Sequence, residues 1–391
     1  MINFDNSATT YPKPLSVRKA AADAMVCYGG NPGRSGHKLS IQTAEAVYRA
    51  RQTAADFFGA QTDNTVFTSN CTHALNLAIK GIVKRGGHIV ISSLEHNSAA
   101  RPVHAMLKED CSYDIAEISE DDDATVENFA RLISPQTEAV VCTLGSNVTG
   151  RIPPFERIGK LCKERGKCFI ADGAQACGVI NVKLSQGINI LCTAGHKSLY
   201  GPSGTGLLVS DGKFDITPLM EGGTGSTSLE LEQPDFLPDS LESGTVNTSG
   251  IIGLGEGIRF VSTLGTDKIF AHETALCSQF INGLRLLENV VIYRGEGSYL
   301  PIVSFNINGF TSNETAAMLS DMGFALRGGL HCSSLAHRYI GTAPEGTVRF
   351  SPSVFSTKSE VDGLLAAVRK ISAMADKSGG VMGKGQELHA L

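Results

Sequence analysis

The sequence predicts an α/β protein, with a mainly parallel sheet covered by helices on both faces and a smaller α+β portion after it. Three observations carry this. From about residue 40 to 210 short apolar runs, "NTVFTS", "HIVISS", "EAVVCTLG", "KCFIADGA", "NILCTAG" and "TGLLVSD", alternate with longer amphipathic stretches. Continuous apolar strands between helices belong to a sheet buried on both sides. Between 212 and 250 the text turns rich in Gly, Pro, Ser and Thr and reads as a long loop region; beyond it, strand and helix patterns mix.

The elements follow in order. "SIQTAEAVYRARQTAADFFGA" (40–60) has helical apolar spacing, Ser40 as an N-cap and Gly59 at its end. "CTHALNLAIKGIVKRGG" (71–87) reads as a helix that starts where a strand stops. "ISEDDDATVENFARLIS" (118–134) opens with acidic residues that complement a helix dipole on a solvated face. Helices are predicted near 268–287, 313–322 and 357–374, with strands in "VVIY", "PIVSFNI" and "TVRFSP". The chain divides into a segment 1–20 that packs with the small domain, a large domain 21–255, a small domain 256–375 and a loosely packed tail 376–391.

Composition narrows the function. A chain of 391 residues can bury two or three domains, and its net charge of −5 gives no basic face for nucleic acid or anionic lipid. No run of about eighteen apolar residues suggests a membrane span, and "MINFDNSATT" lacks the regions of a signal peptide, so a cytoplasmic address is expected. The ten cysteines occur singly, without metal-ligand spacing, and most, Cys142, Cys168 and Cys192 among them, read as small buried side chains.

In an open parallel sheet, ligands gather at the carboxyl ends of the strands. Asp172 follows "KCFI", His196 and Lys197 follow "ILCT", and Cys71, Thr72 and His73 follow "VFTS"; His96 follows "IVISSL" and Asn147 follows "VVCTLG". A lysine among apolar neighbours loses its proton and can form a Schiff base with a carbonyl, while a nearby aspartate can keep a heteroaromatic nitrogen protonated. Both needs describe pyridoxal phosphate, with its phosphate at the N-terminus of the helix beginning near Thr72.

On these residues, together with "FDNSATT" (4–10), "GNPGRSGHKLS" (30–40), "LEHNS", "GSNVTG", "ADGAQ", "GHKSLYGPSGTG", "LESGTVNTSG", "RGGLHCSS" and "VRFSPSVFST", the chain resembles the fold-type-I pyridoxal-phosphate enzymes. Within them it is most similar to the class-V aminotransferase group, with its cysteine desulfurases and selenocysteine lyases. The resemblance implies a seven-stranded large domain. It implies that Lys197 carries the cofactor, Asp172 pairs the ring nitrogen, Gln175 and Asn147 lie near the ring hydroxyl, and His96 stacks on the ring. Thr72, Cys71 and His196 would border the phosphate, with Thr245 reaching the phosphate of a neighbouring subunit in a homodimer. Arg349 would take the substrate carboxylate, beside Arg327 and Ala8, and Cys332 would be the nucleophile that accepts sulfur from L-cysteine. Only seventeen residues separate Cys332 from Arg349, which matches the short-loop desulfurases, whose persulfide is removed by an acceptor protein.

The sequence departs from the family pattern at three places. Ala194 stands where relatives carry a serine, leaving Thr193 or Cys71 as substitute donors. His73 replaces an acidic residue and would add charge near the phosphate, and Leu330 replaces one of two histidines before Cys332. The leading expectation is a cysteine desulfurase that makes L-alanine and an enzyme persulfide. Selenocysteine lyase, a class-V aminotransferase or epimerase using Lys197 alone, and a non-enzymatic sulfur carrier are the alternatives.

Overall fold

A computed structural model describes residues 1–33 and 36–379; of the tail expected over 376–391, everything from residue 380 on lies outside the described residues. Seven strands form the main sheet: β2 (Thr65–Thr68), β3 (His88–Ser92), β4 (Ser112–Ala116), β5 (Thr137–Thr143), β6 (Cys168–Asp172), β7 (Ile190–Ala194) and β8 (Gly206–Ser210). Their order is β2-β8-β7-β6-β5-β3-β4. Every pairing is parallel except the two made by β8. All six other strands therefore end on one side of the sheet.

Side chains alternate along these strands into two cores. Val90, Val140, Phe169 and Leu207 face a core built with helices α2 (Lys38–Phe58), α5 (Asp122–Leu132), α6 (Phe155–Glu164) and α7 (Thr248–Leu264). Ile89, Val141, Ile170 and Leu208 face the other, built with α3 (Cys71–Ile82) and α4 (Asn97–Ala105). These strands read as unbroken apolar runs because both faces are covered.

A second group of elements forms its own core. Helices α8 (Thr266–Leu284), α9 (Ser312–Asp321) and α11 (Lys358–Gly379) accompany the antiparallel sheet β12-β10-β9, made of β9 (Val290–Ile292), β10 (Val303–Ile307) and β12 (Val348–Phe350), while α10 (Ser334–Tyr339) puts Ala336 into the first core of the large sheet. Phe4 sits in the core of this second group with Phe280, Phe305 and Phe350. Nearby, β1 (Ile2–Asn3) pairs in parallel with β11 (Phe324–Ala325). The chain start is thus pinned beside residues more than three hundred positions away. Helix α1 (Leu15–Cys27) then lies against α7. No helix among the described residues is long and apolar enough to cross a membrane.

Three local expectations change. The cap of α2 is His37, whose Nδ1 accepts the Ser40 N–H, while the Ser40 hydroxyl goes to the Asn31 carbonyl at 2.6 Å. Gly59 does close α2, with φ of 70° in the left-handed region. Helix α3 stops at Ile82 rather than running to residue 87. Helix α7 was hidden by its glycines at 250, 253, 255 and 257, and residues 255 and 256 lie inside it. Those glycines permit close packing: a Cβ on Gly257 would collide with the Leu199 carbonyl, on the turn that follows Lys197.

Candidate active site

The carboxyl ends of β2, β3, β5, β6 and β7 open into one pocket. Lys197 follows β7 and is half-buried there; burial pulls its ammonium pKa below the ordinary lysine value, against the pull of the Asp172 carboxylate. The turn that presents it is fixed from two sides. The Lys197 carbonyl accepts the Tyr200 N–H at 2.8 Å and the Thr10 hydroxyl at 2.9 Å. Lys13 Nζ donates to Thr10 Oγ1 and to the His196 carbonyl, at 2.7 and 2.6 Å.

Asp172, the last residue of β6, is 3% exposed. Burial pushes its carboxyl upward, while the Ala174 N–H at 2.9 Å, Lys197 and the Cys71 thiol at 3.4 Å favour the anion. The thiol donates to Oδ1, so Cys71 buttresses the carboxylate. On the same floor, Cys71 and Thr72 occupy the first turn of α3, where their N–H groups have no intrahelical acceptor. Asn70 caps the helix by accepting the His73 N–H at 2.9 Å. Gly206 lets β8 reach this point, since a Cβ there would meet the Asn70 backbone at 2.6 Å.

His96 caps α4, its Nδ1 accepting the Ser98 N–H at 3.0 Å. Its pKa falls to about 3 through burial and through Lys197, Arg349, Arg327 and Arg101. The ring is therefore neutral with its proton on Nε2. His196 is likewise held neutral, its pKa lowered to about 4 by burial, Lys197 and Lys13. The cations crowding this pocket suit an anionic ligand.

Gln175 is buried and donates Nε2 to the Ser7 carbonyl at 3.1 Å. Ala8 and Arg327 also line the pocket. Arg349 is 2% exposed; Nη2 donates to Asp5 Oδ1 at 2.7 Å and Nη1 to the Asn147 carbonyl at 3.0 Å, while Nε is buried without a partner among the described residues. His331, another lining residue, donates Nε2–H to the Thr347 carbonyl at 2.9 Å and leaves Nδ1 buried and, among the described residues, unpartnered. These two orphaned atoms, together with the open first turn of α3, are what a bound polar ligand would satisfy.

Two predicted residues do not line the pocket. Thr245 is exposed beside a different hollow, with Phe67, His73 and Asn247. Cys332 is exposed at the rim, where Arg327 Nη2 lies 3.9 Å from its sulfur and its carbonyl accepts the Asn97 N–H at 2.8 Å. Both Cys332 and His331 have left-handed backbones, with φ of 57° and 48°; such strain costs about 1–3 kcal/mol per residue.

Both substitute donors already have acceptors. Thr193 Oγ1 donates to the Gly173 carbonyl at 3.3 Å, and Cys71 is engaged by Asp172. His73 is biased toward its neutral form: burial lowers its pKa, and the Ser69 N–H donates to its Nδ1 at 3.3 Å. One buried group went unread in the sequence. Glu95 packs behind His96, accepting the Ser92 hydroxyl at 2.5 Å and the Thr143 N–H at 2.7 Å, and burial raises its pKa to about 8. A carboxyl inside "SSLEHNS" looks like an ordinary turn residue.

The model of the class-V aminotransferase family matches residues 2–364. The chain belongs to this enzyme family. Its relatives within it carry a consistent name. A probable cysteine desulfurase of Pyrococcus abyssi is 31% identical, over 95% of this chain and 94% of its own. One from Methanothermobacter thermautotrophicus is 28% identical, with 94% of both covered. Among solved structures, the apo cysteine desulfurase of Thermococcus onnurineus superposes with a TM-score of 0.88 at 30% identity, covering 95% of each chain. An Escherichia coli cysteine desulfurase at 23% identity, TM-score 0.85, shares the fold. For a class-V aminotransferase, a pocket that gathers a lysine and an aspartate from adjacent strands is the place for chemistry.

Proposed function

We propose that this class-V aminotransferase is a pyridoxal-phosphate-dependent cysteine desulfurase, converting L-cysteine to L-alanine while Cys332 takes the sulfur. One observation carries the reading: Lys197, Asp172 and Arg349 share one pocket, and Cys332 stands on its rim. Lys197 and Asp172 would hold the cofactor's carbonyl carbon and ring nitrogen. Thr72, Cys71 and His196 would hold its phosphate, His96 would stack on the ring, and Gln175 and Asn147 would border its hydroxyl. When bound, the cofactor supplies an electron-accepting ring conjugated to the substrate's Cα.

The protein's own groups do the rest. The Arg349 guanidinium, with Nε unpartnered, orients the substrate carboxylate, with Arg327 and Ala8 beside it. Lys197, eased toward its neutral form by burial, moves a proton at Nζ. The Cys332 thiolate bonds to the substrate sulfur; the sulfur–Cβ bond breaks with its electron pair left on Cβ, and a proton there completes alanine. The exposure of Cys332 suits handing the persulfide to an acceptor protein.

We read the assembly as a homodimer. Met25 and Val26 on α1 and Leu39, Ile41 and Tyr48 on α2 are exposed apolar side chains, and Thr245 is exposed outside its own pocket, where it could serve a partner's phosphate. Turnover of L-cysteine in the presence of a thiol reductant, by the holoenzyme and by Cys332→Ala, tests the function. Alanine and sulfide from the first and almost none from the second support it, and an oxoacid product without sulfide overturns it.

A further inference from the structure

The loop that carries Cys332 is braced by three hydrogen bonds. Asn147 Nδ2 donates to the His331 carbonyl at 2.9 Å, and the Ser333 hydroxyl donates to Asn147 Oδ1 at 2.6 Å. One carboxamide therefore grips both neighbours of the cysteine. The Asn97 N–H, first in α4, holds the Cys332 carbonyl itself at 2.8 Å. Ser333 is fully buried, so its hydroxyl has no water to turn to.

This bracing falls where the backbone resists. His331 and Cys332 are consecutive non-glycine residues with positive φ, a conformation that persists only when surrounding contacts over-determine it. The same Asn147 receives Arg349 Nη1 on its main-chain carbonyl. The arginine proposed to orient the substrate and the loop proposed to take its sulfur thus hang on a single residue.

We infer that the Ser333 hydroxyl and the Asn97 N–H are positioning groups for Cys332. They hold its left-handed turn so that Sγ stays at the pocket rim beside Arg327. The inference rests on the desulfurase reading, and neither group touches the cofactor or substrate positions.

Two variants remove the two braces separately. Ser333→Ala deletes the hydroxyl. Asn97→Pro deletes the N–H, together with the side-chain oxygen that accepts the Ser334 hydroxyl at 3.5 Å, while preserving α4, because proline is favoured at the first helical position and His96 before it, at φ −70° and ψ 155°, already has the extended backbone that a following proline requires.

In the holoenzyme each variant should lower kcat for L-cysteine by about tenfold or more with KM within about twofold, since displacement of a reacting atom acts on the reacting geometry. In cofactor-free protein, iodoacetamide should label Cys332 about threefold faster or more as the loop loosens, while the distant exposed Cys27 keeps its rate. A variant with wild-type kcat, a loss carried by KM, or unaltered Cys332 labelling overturns the inference. Wild-type holoenzyme that makes no alanine overturns the desulfurase reading instead; the labelling contrast then still decides whether these groups hold the cysteine.

Discussion

Asp5 and Arg349 stand 344 positions apart in the chain, yet the Asp5 carboxylate accepts a hydrogen bond from Arg349 Nη2 at 2.7 Å. The guanidinium is fully buried, and burial, with Arg327 nearby, pulls its pKa below the ordinary arginine value, which Asp5 partly offsets. The chain start is in this way part of the pocket, completing the charge balance of a residue contributed by β12.

Removing that countercharge leaves a buried cation unpaired. Asp5→Ala is expected to cost about 1–3 kcal/mol, less than for a wholly buried pair because Asp5 keeps some exposure. The melting temperature of the cofactor-free protein should fall accordingly, and L-alanine should recover more of it in the variant than in wild type, its carboxylate taking up the vacated role. An unchanged melting temperature would show that the pair contributes nothing.

Stability should peak near neutrality and fall on both sides. Burial lowers the pKa of His96 to about 3, His331 to about 2, and His196 and His337 to about 4. As pH drops below about 6.5 the unfolded chain binds protons that the folded chain refuses, so acid destabilises, by at most about 1.4 kcal/mol per pH unit for each group. Burial raises Glu95 and Glu273 to about 8, so the folded chain keeps protons that the unfolded chain releases above about pH 4.5, and stability falls as pH rises toward 8. The histidines dominate below about pH 6 and the carboxyls above about pH 6.5, so melting temperatures across pH 4–8 should pass through a maximum between. A flat profile would contradict this balance.

The absent hydroxyl at residue 194 is testable by restoring it. Ala194 ends β7 on the pocket wall, 3% exposed. Ala194→Ser should tighten pyridoxal phosphate binding by up to about fivefold, the worth of one net hydrogen bond of about 1 kcal/mol. Equal affinity in titrations of the two cofactor-free proteins would show that residue 194 does not face the phosphate.

Much of the fold was legible because burial writes itself into the strands. The runs around Val90, Val141 and Ile170 are apolar at every position, and the polar residues that end them, His96, Asn147 and Asp172, lie at one edge because the strands run parallel. Helix α7 was not legible, since glycines that serve close packing against Leu199 also erase helix propensity. Nor was the engagement of Asn147 with Ser333, made between parts of the chain 186 residues apart. Thr193 and His73 show the same limit. Their side chains are spent on Gly173 and Ser69, local partners that residue type alone does not reveal.

In the proposed reaction Cys332 takes sulfur from L-cysteine held in the Lys197 pocket. The direct measurement is a single turnover of reductant-free holoenzyme with L-cysteine, reading alanine by chromatography and the mass of the Cys332 peptide. Equal amounts of alanine and of peptide carrying one added sulfur atom are expected. Alanine formed in full with Cys332 unmodified would contradict that reaction.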